Sequence, residues 1–91
     1  MITVKYYANL RQITGINQDS LDYEESTLGC LIDDLDRKYG EPFSRLMTEG
    51  GKLRQNVIIL LNGLNVIFGK GLDEKIKSGD SVDIFPPVAG G

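Results

Sequence analysis

The chain of 91 residues contains no histidine. That excludes Ser-His-Asp and Cys-His nucleophilic catalysis, which need an imidazole base, and every His-containing zinc site. Tryptophan is absent too, and cysteine occurs once, as Cys30. A single thiol cannot form an internal disulfide and fits a reducing compartment, so a cytoplasmic location is expected. No apolar run approaches the ~18–20 residues that span a bilayer. No basic segment followed by an apolar stretch opens the chain, so neither a membrane span nor a secretory signal is expected. Ten Lys and Arg against thirteen Asp and Glu give a formal charge of −3. The cations are scattered among the acids, whereas nucleic-acid binding needs a basic face, so that function is excluded. An acidic domain suits a partner protein with a basic docking surface.

The chain is short enough for one domain, 1–91, with a single core. Ile2 to Tyr7 alternates β-branched and aromatic residues with polar ones and reads as a strand. Ile2, Val4 and Tyr6 share one face, and Thr3, Lys5 and Tyr7 the other. Ala8 to Gly15 reads as a turn region, and Asn17 to Tyr23 as a weaker strand that closes an antiparallel hairpin. Leu28, Leu31, Ile32, Leu35 and Tyr39 form one apolar stripe at helical spacing. Ser26 or Thr27 is placed to cap that helix, and Gly40 sits where a left-handed C-cap belongs. Asp33, Asp34 and Asp36 read as its solvated face, not as a metal site. Cys30, in its first turn, reads as a passive thiol. Pro42 to Met47 suggests a further helical turn, and Thr48 to Asn56 a loop.

Val57 to Leu61 is a continuous apolar run, as in a buried strand. Asn62-Gly63 is a strong hairpin signal, so Leu64 to Phe68 is expected to fold back beside it. Leu72 to Ile76 suggests one helical turn. Gly69-Lys70-Gly71 lacks the P-loop pattern, so this chain is not expected to bind ATP or another cofactor. Ser81 to Phe85 is the last strand, with Val82 and Ile84 on one face and Asp83 and Phe85 on the other. One main helix on one face of a mixed five-stranded sheet is the economical packing, an α+β domain of the β-grasp (ubiquitin-like) plan. In that plan the last strand lies parallel to the first at the sheet centre. The helix covers one face only, so Tyr7 and Phe85 are expected to lie exposed on the other, as a docking patch.

The chain closes on Phe85-Pro86-Pro87-Val88-Ala89-Gly90-Gly91. Pro86 and Pro87 lack N–H donors and stop the sheet, so 86–91 is expected to form a flexible tail. Two final glycines have no Cβ and can enter a narrow active site. Four or five residues beyond the prolines span at most ~13–18 Å, enough to seat the last atom deep in a partner's pocket.

This ending resembles that of the small subunit of molybdopterin synthase and its sulfur-carrier relatives, the MoaD/ThiS-type ubiquitin-like family. The opening, Ile2 to Ala8 followed by Leu10-Arg11 and Gly15, is similar too, as is the turn Ser78-Gly79-Asp80-Ser81-Val82. The resemblance implies a sulfur carrier. A ubiquitin-activating-type adenylating enzyme would use ATP to adenylate Gly91, and a sulfur donor would convert the acyl-adenylate to a thiocarboxylate. The large subunit of molybdopterin synthase would then take that sulfur for the molybdenum cofactor. Gly90 would give clearance. Tyr7, Phe85, Pro86, Pro87, Val88 and Ala89 would meet partner subunits. Arg11 matches a family arginine that either contacts a partner or ties down the first loop. The same activation would serve a ubiquitin-like modifier joined to lysines through Gly91, or a carrier for thiamine thiazole.

Overall fold

A computed structural model describes residues 1–87. Along the chain it forms β1 (Ile2–Tyr6), α1 (Leu10–Thr14), β2 (Gln18–Leu21), β3 (Glu25–Thr27), α2 (Leu28–Tyr39) and α3 (Glu41–Met47). The short hairpin β4 (Thr48–Glu49) and β5 (Lys52–Leu53) follows, then β6 (Ile58–Leu61) and β7 (Leu64–Asn65). Two 3-10 turns, Val66–Phe68 and Gly71–Asp73, lead to β8 (Lys75–Lys77) and β9 (Ser81–Phe85).

The principal sheet has the order β2-β1-β9-β6-β7. The chain's first and last strands pair in parallel, Val4 beside Val82 and Tyr6 beside Ile84. The other pairings in this sheet are antiparallel. This is the β-grasp arrangement. Strand alternation decides which residues fill the core. Ile2, Val4, Tyr6, Val82 and Ile84 are completely buried beneath α2. The helix meets them with Leu28, Leu31, Ile32 and Leu35, while α3 adds Phe43 and Met47. Burial of each such aliphatic side chain is worth about 1.5–3 kcal/mol.

The start of α2 is fixed by Thr27, whose side-chain oxygen accepts from the Cys30 N–H at 3.2 Å. Thr27→Ala should therefore cost about 1 kcal/mol, read as a shift in urea midpoint at unchanged slope. Thr27→Ser should recover most of it. A midpoint unmoved by the alanine change would show that the cap contributes nothing.

Local sequence signals were overridden in five places. Ala8–Gly15 contains a helical turn, because its Leu10 is buried and anchors it. Gly40 has the positive φ of a cap, +78°, but its ψ of −160° is not left-handed helical. That geometry turns the chain at once into α3. Thr48 to Leu53 is a hairpin around Gly50-Gly51, both with positive φ, instead of a loop. Only Leu64–Asn65 returns beside β6, because Asn65 caps the next turn through Ile67 N–H. Lys75–Lys77 is a strand on β3, not part of a helical turn, and it buries Ile76.

The helix face read as solvated is also mixed. Asp33 is exposed, but Asp34 accepts from Tyr23 and Arg37. Asp36 is half-buried, one of its oxygens has no partner among the described residues, and burial pushes its carboxyl up. Asp19 is almost wholly buried and accepts from Tyr6 Oη at 2.6 Å, from Tyr39 Oη, and from Lys38 Nζ at 3.1 Å. It thereby ties β2, β1 and the end of α2 together.

Candidate functional site

The parallel β1–β9 pair sends both of its C-terminal ends to one edge of the domain. There Tyr7 and Phe85, next to each other on the open sheet face, stack with ring centroids 4.2 Å apart and planes 15° apart. Each is half-buried rather than exposed, because each ring covers the other. Tyr7 Oη donates to Asp83 Oδ1 at 3.0 Å, and this hydrogen bond to a carboxylate pushes the phenol's pKa up. The phenol therefore stays protonated and serves as a strut.

Arg11 lies over the Tyr7 ring, with its guanidinium carbon 5.5 Å from the ring centroid. Its Nε donates to the Tyr6 carbonyl at 2.9 Å. Arg11 thus ties the first loop to the end of β1 while leaving the rest of its fork at the surface. Ile58, opposite Phe85 in the β6–β9 register, and Leu60, opposite Asp83, continue the apolar face. The result is a stacked ring pair with a cation against Tyr7, beside a greasy strip, ending where β9 ends.

Pro86 is buried and Pro87 half-buried, so the packed body runs through the end of β9 to the last described residue. Val88, Ala89, Gly90 and Gly91, expected to carry and present the reactive group, lie outside the described residues. Pro87 also walls a groove of about 450 Å³ whose other side is formed by Glu49, Lys52, Arg54, Gln55 and Asn56. Sequence reading passed over these residues as a loop. The available signal was two cations, Lys52 and Arg54, just beyond a Gly-Gly turn.

Cys30 is exposed at the start of α2. Hydrogen bonds from the Thr27 and Ser26 side chains draw its thiol's pKa down. It lies on the helix layer, away from the face that bears the stack. Among the described residues no helix is long and apolar enough to cross a membrane, and no cluster of Cys, Asp and Glu could hold a metal ion.

A family model described as the ThiS family matches residues 4–91. The chain belongs to the ThiS family. It is a ubiquitin-like protein of the sulfur-carrier kind, and its similarity to other members runs along its whole length. It is 42% identical over 92 residues to the sulfur carrier protein CysO of Mycobacterium tuberculosis, covering 99% of this chain and 98% of that one. It is 31% identical over 93 residues to small archaeal modifier protein 3 of Haloferax volcanii, covering 99% and 98%. Among solved structures it superposes on a chain of the Amycolatopsis orientalis BexX/CysO complex with a TM-score of 0.83. That match has 29% identity and covers both chains completely. ThiS-family membership therefore rests on the body as well as on the glycine ending.

Proposed function

We propose that this chain carries sulfur as a thiocarboxylate on Gly91. The observation that carries the reading is the placement of β9, which ends in a proline pair at the same edge as the Tyr7–Phe85 stack. An α-carboxyl has a pKa of about 3.3–3.7, so at neutral pH it is an ionised and poor electrophile. Activation is needed first. A ubiquitin-activating-type enzyme supplies ATP, the carboxylate oxygen attacks the α-phosphate, and pyrophosphate leaves. Hydrosulfide from a donor then attacks the acyl carbon, the C–O bond to AMP breaks, and the acyl–sulfur bond remains. ATP is bound by the partner, and the carrier supplies only the acyl end and the surface that positions it. Residues 88–91 span at most ~13–14 Å, so the partner's catalytic groups must lie within that distance of Pro87.

The destination we propose for the sulfur is the dithiolene of molybdopterin, delivered through the large synthase subunit. This rests on the ending Phe85 to Gly91. The identities of 42% to CysO and 31% to the archaeal modifier, along the full chain, favour a second reading. In it the same activated end serves another acceptor enzyme or lysines of other proteins.

Intact-mass spectrometry tests both. After incubation with a matching activating enzyme, ATP and a sulfide donor, the chain should gain the mass difference between sulfur and oxygen. Loss of that sulfur to a large synthase subunit and pterin precursor supports the first destination. Loss only to other acceptors, or appearance on lysines, supports the second. A carboxylate unchanged throughout ends the carrier reading. Phe85→Ala, which removes half of the stack, should weaken binding to the activating enzyme about tenfold, measured by calorimetry. Unaltered affinity would place the stack outside the interface.

A further inference from the structure

The groove at Pro87 is chemically unlike the rest of this acidic chain. Arg54 is a fixed guanidinium, its Nε donating to the Arg45 carbonyl at 2.7 Å and its Nη1 to Glu49 Oε2 at 3.3 Å. Its Nη2 makes no hydrogen bond among the described residues. Lys52 is exposed in the same groove and forms no ion pair among the described residues. The exposed Gln55 and Asn56 add amide donors. The one acid of the lining, Glu49, is already engaged by Arg54. A held guanidinium beside a mobile ammonium suits carboxylates, because the arginine loses little further freedom on binding.

Position supplies the second argument. Pro87 is part of the groove wall, so an enzyme that takes residues 88–91 into its own pocket has to cover this groove. We infer that the groove between Pro87 and the β4–β5 hairpin receives an acidic segment of the enzyme that takes the chain end. The identity of that enzyme rests on the sulfur-carrier reading, and the groove's preference for carboxylates does not. The overall charge of −3 leads one to expect a uniformly basic partner surface. The groove instead requires a patch of the opposite sign, which fixes the orientation of docking.

The test titrates the isotope-labelled full chain with a hexaglutamate peptide at low ionic strength and follows backbone amides by NMR. Shifts should concentrate at 49–56 and be lost in Lys52→Glu/Arg54→Glu. They should persist in Lys75→Glu/Lys77→Glu, which changes the charge equally at the opposite end of β9. Lys52→Glu alone makes the same test without disturbing the bonds that Arg54 forms. Absence of shifts, or equal loss in both double variants, overturns the inference.

In the activation assay, Lys52→Glu/Arg54→Glu should raise the KM for the carrier about tenfold and leave kcat within about twofold, the difference fading with salt. An unchanged KM with normal sulfur loading removes the groove and spares the carrier reading. Failure of the wild-type chain to load sulfur, with peptide binding intact, does the reverse.

Discussion

Deletion of Gly91 should reduce sulfur loading to background while leaving the melting temperature unchanged. The variant still ends in a glycine carboxylate, so the chemistry of the group is preserved. Its position is not, because the acyl carbon is withdrawn by about 3.5 Å. A misplacement of about 1 Å at a reacting centre already costs about 10²-fold in rate, so a loss well beyond that is expected. Stability should not follow, because among the described residues the buried core already extends from Ile2 to Ile84. The measurement is intact mass after activation, paired with thermal denaturation. A deleted chain that still loads sulfur at the normal rate would show that reach is not what the ending provides.

The second large effect is on stability. Asp19→Ala should lower it by about 2–3 kcal/mol, since the fully buried Tyr6 hydroxyl loses its acceptor at 2.6 Å and two further donors lose theirs. For a domain of this size that corresponds to a fall in melting temperature of about 10–20 °C. Burial raises the Asp19 carboxyl, but hydrogen bonds from Tyr39, Tyr6 and Lys38 outweigh it and the net shift is downward. A carboxylate held below its unfolded value contributes fully above about pH 4. That contribution is lost as pH falls through the lowered native value. Wild type should therefore lose stability between about pH 4 and lower pH more steeply than Asp19→Asn, which has no such proton to gain. Parallel acid profiles for the two would remove Asp19 from the linkage.

The outline of this fold was readable because the central strands are strongly patterned. Ile2, Val4 and Tyr6 alternate with polar neighbours, and Asn62-Gly63 adopts the paired positive φ values, +52° and +87°, that a tight hairpin needs. Helix α2 announced itself by its stripe and its N-cap, Thr27. The short elements were not readable. Neither β3 nor β8 has enough residues to show a period, and each exists because the other lies beside it. The candidate site divides in the same way. Adjacent strand faces brought Tyr7 and Phe85 together as alternation required. The mutual cover that half-buries them is a tertiary fact. The Pro87 groove was invisible because it joins residues far apart in the chain. They meet only through the β6–β9 pairing, which sets Ile58 opposite Phe85. The buried acceptor role of Asp19 was equally hidden, since Tyr6 and Tyr39 read as core members and their hydroxyl groups leave no periodic trace.

The strand that holds the middle of the sheet is also the last of the described elements along the chain. Because β9 pairs with β1 on one side and β6 on the other, a nascent chain lacking it has no centre to its sheet and neither of those long-range pairings. Closure from β1 to β9 spans most of the described residues, so it is slow, and it cannot begin until β9 has been made. Products terminated before β9 would remain unfolded and open to proteolysis, so the folded pool is restricted to molecules that have gained this strand.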